Sequence, residues 1–301
     1  MKILADKDEL KVIMAYLAVC IIWGSTYLAI RIGVSTFPPE LFAGIRFFVA
    51  GGLMLLVAAL RREAFPRSFT DYKDLFLVGF IMLICGHGFV VFAAQWVTSS
   101  VISLIIATVP LFLAIIAMAL PGHPTIGWKG WAGLLVGFGG VIFLVSSMKI
   151  AGSTLQGVLL LLVSSAFWAG GSLYSQRIKP ACSITVTIGM QMLVGGIGLS
   201  LLGIFLGELP RIHLSFKGLA ALIYLTIFGS IIGYSCYIYV LQKWSATKAG
   251  TYAYINPLIA VFLGFVILGE PLTYKTFIAT FVILSGVLLV QLPKKKNPLQ
   301  L

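Results

Sequence analysis

The sequence predicts an all-α membrane protein of ten transmembrane helices, built as two inverted five-helix repeats with both termini in the cytoplasm. Three observations lead there. Apolar residues fill 60% of the 301 positions and charged residues only 10%, whereas a soluble domain carries about a quarter charged residues. The second half repeats the first: Gly86, Gln95, Pro110 and Gly139 recur as Gly233, Gln242, Pro257 and Gly286, each 147 residues later. Earlier in each half the offset is 145, so that Trp23 falls on Trp168 and residues 44–52 fall on 189–197. The third observation is the placement of the basic residues.

Apolar stretches long enough to span hydrocarbon, interrupted by charges and turn residues, give ten helices. Their expected limits are 11–32, 39–60, 74–96, 100–120, 128–148, 155–177, 184–206, 217–240, 247–268 and 274–292. The first run is too long for a signal-peptide core and lacks a small-residue cleavage site, so it is expected to stay as a span. Pro38, Pro66, Pro121, Pro180, Pro210 and Pro271 mark the short connectors. Residues 1–150 form the first repeat; residues 151–301 form the second, inverted repeat and a basic C-terminal tail.

A cytoplasmic N-terminus puts 15 of the 21 Lys and Arg residues inside, five outside and Arg46 within a span. That asymmetry is the positive-inside pattern. It accounts for the formal charge of +12 by a membrane rather than by nucleic acid. Cys20, Cys85, Cys182 and Cys236 follow no disulfide or metal-ligand spacing, so neither a metal nor another cofactor is expected.

Five helices and their inverted copy, with the segments IIWGSTYLAIRIG (21–33), PPELFAGIRFFVAG (38–51), TVPLFLAI (108–115), SSAFWAGGSLYSQR (164–177) and YAYINPLIAVFLGFVILGEPLTY (252–274), resemble the EamA-type permeases of the drug/metabolite transporter superfamily. The resemblance implies a carrier of small metabolites, often an exporter of amino acids or related compounds, in a bacterial inner membrane. One departure is LPGHPT (120–125), which puts His123 where the second half has Glu270.

Polar groups at mid-membrane are where transport chemistry is expected. Arg46, two turns into the second helix, reads as an anchor for a substrate carboxylate, as an outer gate, or as a guanidinium snorkelling to carbonyls. Its repeat mate is Gln191. His87, between Gly86 and Gly88, reads as a proton carrier or as a neutral packed imidazole; its mate is Tyr234. Trp23, Ser25 and Thr26, with Trp168, Ser172 and Tyr174, are expected to line a cavity, an interfacial belt being the other reading. Tyr252, Tyr254 and Asn256 before Pro257, mirrored by Thr108 before Pro110, form polar patches at proline kinks. Glu40, Glu208 and Glu270 sit at outer ends, and Glu270 is expected to serve the start of the tenth helix.

The expected activity is alternating-access transport of a small amphipathic metabolite, with no catalytic residue. An enzyme would need clustered catalytic side chains, and His87, His123 and His213 lie in three separate regions. A channel would draw on repeated polar rings across subunits, whereas one chain here contains two complementary halves, compatible with a monomer. A purely structural membrane protein leaves the repeat unexplained.

Overall fold

The computed structural model describes residues 2–120, 128–146 and 152–291 of the chain. His123 and its neighbours lie outside the described residues. Among the described residues the secondary structure is helical and forms ten rods. These are α1 (Lys2–Val34), α2 (Pro39–Leu60), α3 (Phe69–Ala93), α4 (Ser99–Met118), α5 (Trp128–Ser146), α6 (Gly152–Arg177), α7 (Ile184–Phe205), α8 (Phe216–Lys243), α9 (Ala246–Leu268) and α10 (Tyr274–Gln291). Eight are long and apolar enough to cross a membrane, and α5 and α10 contribute two shorter apolar stretches. Phe205, Phe216 and Phe281 stand exposed on the outside of the bundle. Such a surface suits lipid and would associate in water.

Local chemistry explains the helix starts. Pro39 opens α2, where its missing N–H costs nothing. Ser68, Thr98, Ser183, Ser215 and Ser245 each accept a hydrogen bond from the backbone N–H three residues on, capping α3, α4, α7, α8 and α9. α9 stops at Gly269, whose φ of +65° lies in the left-handed region that glycine adopts without strain.

The interiors of the rods depart from uniform helix in two ways. Gly79–Gly88 within α3 and Leu225–Tyr234 within α8 are π-helical, at matching places in the two halves. α4 breaks at Ala107 and Thr108 ahead of Pro110, while α9 breaks at Gly250 and Thr251 and then runs unbroken through Pro257. The two prolines thus sit differently, Pro110 just after a break and Pro257 inside a continuous helix.

Repeat mates pack on each other. α2 lies against α7, and α5 against α10. Glycines let the backbones meet: a methyl group at Gly44 would strike Ser200, and one at Gly51 would stand 2.6 Å from the backbone nitrogen of Leu193. Contacts advance along α2 as they retreat along α7, so the mates run antiparallel. Gly286 meets Gly137 in the same fashion between α10 and α5. Close approach through small residues is how apolar helices associate where water supplies no hydrophobic drive.

The turns after the mated helices match as well. Glu63 N–H donates to Ala58 and Glu208 N–H to Gly203, both at 2.9 Å, at positions 145 residues apart. Glu208 Oε2 then accepts Leu41 N–H at 2.9 Å, at the start of α2. Glu270 does not serve α10, as its position predicts. Its carboxylate accepts the backbone N–H and hydroxyl of both Ser99 and Ser100, at 2.5 to 3.1 Å, at the start of α4. A carboxylate there meets four donors and the positive end of a helix dipole. The correction has a simple cause: the turn that carries Glu270 folds back over a helix that is remote in sequence.

Candidate functional site

A cavity of about 60 Å³ lies between α1, α2, α3, α4, α6, α8 and α9, so both halves build its wall. A single water needs roughly a quarter of that or less. Its polar wall is made by Arg46, His87, Thr26 and Ser164, and its aromatic wall by Trp23, Trp168, Tyr27, Tyr234 and Tyr252.

Arg46 is buried on α2. Its Nε donates to Ser230 Oγ at 2.6 Å, and Nη1 lies 3.0 Å from His87 Nε2. A guanidinium has no lone pair to offer, so His87 is the acceptor and carries its proton on Nδ1. The imidazole is therefore neutral. Phe47 lies under the guanidinium at 4.7 Å and edge-on to the His87 ring at 5.0 Å. Among the described residues the one ion pair joins Lys11 to Asp8, so no carboxylate neutralises Arg46. A buried cation held by neutral groups is left with an incompletely satisfied charge.

The mates repeat this contact with different chemistry. Tyr234 OH donates to Gln191 Oε1 at 2.9 Å. The same two sites, one on a glycine-lined helix and one in a π segment, thus meet in each half. One pair is cationic and the other neutral.

Trp23 is the hub of the aromatic wall. It meets Trp168 at 5.4 Å, Tyr237 at 5.0 Å and Tyr252 at 5.1 Å, mostly edge to face. Its indole N–H crosses to the carbonyl of Gly229 at 3.1 Å, tying α1 to α8. The Trp168 indole N–H is buried without an acceptor. Thr26 returns its hydroxyl to the Trp23 carbonyl at 2.8 Å and Ser164 gives its own to Gly86 at 2.7 Å.

Seven sequence-predicted residues thus meet at the cavity: Trp23, Thr26, Arg46, His87, Trp168, Tyr234 and Tyr252. Six stand elsewhere. Ser172 meets the Trp168 carbonyl and Tyr237 OH, both at 2.7 Å. Ser25 bonds Tyr224 OH at 2.6 Å, Thr108 bonds its own helix at Ile105, and Tyr174 donates to Asp74 Oδ1 at 2.7 Å. Tyr254 reaches the Val287 carbonyl at 3.3 Å. With its amide nitrogen turned to donate, Asn256 bonds the carbonyls of Cys20 at 3.0 Å and Tyr252 at 3.2 Å. Each of the six spends its polar atoms on bonds within its own helix or to a neighbouring one. Tyr27, Ile30 and Ser164 were not anticipated, although helical spacing points to them: Tyr27 and Ile30 follow Trp23 by four and seven, and Ser164 precedes Trp168 by four. Among the described residues no group of three or more His, Cys, Asp or Glu gathers to hold a metal.

Two mated helical halves around one shared, partly charged cavity define a membrane transporter fold. The chain belongs to the EamA-like transporter family, which matches it twice, over residues 10–146 and 155–292. It is 38% identical over 290 residues to the uncharacterized inner membrane transporter YedA of Escherichia coli K12, covering 94% of this chain and 92% of YedA. It is 27% identical to the protein PagO of Salmonella typhimurium, with 93% of each chain covered. A solved crystal structure, 19% identical, shares the fold with a TM-score of 0.68 over 93% of this chain and 96% of the other.

Proposed function

We propose that this protein is a secondary transporter of the bacterial inner membrane that moves a small amphipathic metabolite bearing a carboxylate, most simply an amino acid or a related compound, outward by alternating access. All ten rods cross the bilayer, with both termini cytoplasmic, and the halves are inverted. Support for the topology comes from the Lys and Arg bias and from the antiparallel packing of repeat mates. The name of YedA supports the inner membrane.

The observation that carries the substrate class is Arg46, buried in the shared cavity with only neutral partners. A carboxylate entering the cavity would supply the missing countercharge through paired N–H donors. Trp23, Trp168, Tyr234 and Tyr252 would face the apolar body of the same molecule, and Thr26 its remaining polar group. The halves would rock about this cavity and expose it to each side in turn.

Counterflow in proteoliposomes tests the reading. Labelled amino acids and related carboxylates should accumulate transiently against an unlabelled internal pool, and amine analogues lacking the carboxylate should not. Flux without counterflow would indicate a channel. Equal handling of the amines would remove the carboxylate requirement.

A further inference from the structure

The start of α2 holds an unexplained acid. Glu40 is 2% exposed and its Oε2 is buried with no hydrogen-bond partner. Its neighbour in charge is Glu208, a like charge. Burying an unpaired carboxylate beside another carboxylate is costly in a medium of low dielectric. Glu208 is already committed as an acceptor to Leu41 N–H at 2.9 Å.

The repeat shows what belongs there. Glu63 is the mate of Glu208, and the hydroxyl side chains of Ser183 and Thr185 act on its carboxylate at the start of α7, although its Oε2, like that of Glu40, is buried without a hydrogen-bond partner. Thr185 is the mate of Glu40, 145 positions on. A hydroxyl can donate to a carboxylate; a glutamate in the same place can donate only as the acid. Among the described residues the other surroundings of Glu40 offer no cation. α3 presents Gly88, whose added methyl would stand 3.4 Å from Glu40 Oε2, with His87 engaged on Arg46. α7 presents Leu199 and Gly203, and Arg31 on α1 donates to the Ala94 carbonyl. One free carboxylate oxygen against leucine and glycine lacks the six or so oxygen ligands that a hard cation takes.

We infer that Glu40 is a proton-binding site: it holds a proton while α2 is closed on the Glu208 turn, and it releases that proton when this end of the protein opens. This rests on the alternating-access reading, and it identifies the ion whose binding accompanies closure. The step is a simple ionisation, Glu40 carboxylic acid giving carboxylate and a proton to water. The carboxylate then repels Glu208 and favours separation.

Infrared spectroscopy of the purified protein tests the site directly. A protonated-carboxyl stretch should be present at neutral pH, disappear in alkali, and be absent from Glu40→Gln. A spectrum without that band, or a band unchanged in Glu40→Gln, would overturn the assignment. Gating is read by a cysteine at Val90, which lines the cavity, in a background with the four native cysteines replaced. External labelling by a membrane-impermeant maleimide should rise with pH, and should stay at least about tenfold lower in Glu40→Gln at alkaline pH, since each pH unit changes the minor ionisation state about tenfold. Labelling that ignores pH, or follows sodium instead, would also overturn it. Counterflow keeps the two proposals apart: flux with no carboxyl band removes the proton site alone, and a band without flux removes the carrier.

Discussion

Arg46 Nη1 meets His87 Nε2 at 3.0 Å, and the repeat mates of these residues, Gln191 and Tyr234, meet at 2.9 Å in the other half. One architectural contact has been given two chemistries, a charged pair of which both members line the cavity and a neutral pair of which Tyr234 does. Function is expected to follow the charge and stability the contact.

Installing the neutral pair in both halves, as Arg46→Gln with His87→Tyr, should therefore separate the two. Replacing a buried charged group by neutral, packed ones is often neutral or stabilising by about 1–4 kcal/mol. The double variant should unfold at an equal or higher temperature in detergent, and lose carboxylate counterflow. Arg46→Gln alone should weaken substrate binding by about tenfold to a hundredfold, the loss of a hydrogen bond to a charged group. Unchanged affinity would separate Arg46 from the substrate.

Two adjacent glycines should behave in opposite ways. A methyl at Gly51 would press on the backbone of Leu193, while one at Gly52 meets nothing within 4 Å. Gly51→Ala should cost about 1–3 kcal/mol through overpacking of α2 on α7. Gly52→Ala should be neutral, or stabilising by up to about 1 kcal/mol from helix propensity. Thermal unfolding of the two variants side by side measures the difference. Gly51→Leu and Gly195→Leu should abolish flux, the second because a side chain there runs into Leu83.

Glu270→Gln should loosen the start of α4. The neutral amide keeps one acceptor oxygen and confronts the donors of Ser99 and Ser100 with an N–H₂ group. A loss of about 2–3 kcal/mol is expected for the charged acceptor. Faster amide exchange at Ser99 and Ser100 would locate it. Exchange that changes at α10 instead would restore the assignment that sequence position suggests.

The turn at Glu63 supplies a pH test. The hydroxyls of Ser183 and Thr185 hold its carboxylate below the usual range. A lowered folded-state pKa means that its contribution is fully present above the unfolded carboxylate value and is lost as pH falls through the folded one. Glu63→Gln should therefore flatten part of the acid limb of a stability profile and leave the neutral region nearly parallel. Identical acid limbs in the two proteins would show that Ser183 and Thr185 do not hold the Glu63 carboxylate.

Helix type, approximate limits and the repeat were legible in the chain, as was a cavity-lining place for Trp23 and Trp168. Hydropathy, basic-residue placement and repeated glycines are read along one dimension, and they report what each segment must be surrounded by. They say nothing of which faces meet. The π segments in α3 and α8 turn His87 and Tyr234 to their partners, and an apolar run carries no signal for them. Ser25, Thr108, Tyr174, Tyr254 and Asn256 looked equally suited to a solute until packing gave each of them a partner. Glu40, Glu208 and Glu270 read as helix-end charges, and only folding brought Glu208 and Glu270 to helices more than a hundred residues away. The sequence by itself determined the solvent, the family of architecture and the repeat. Tertiary structure decided which polar groups satisfy one another and which face a cavity, because a hydrogen bond depends on distance and angle between atoms that composition does not order.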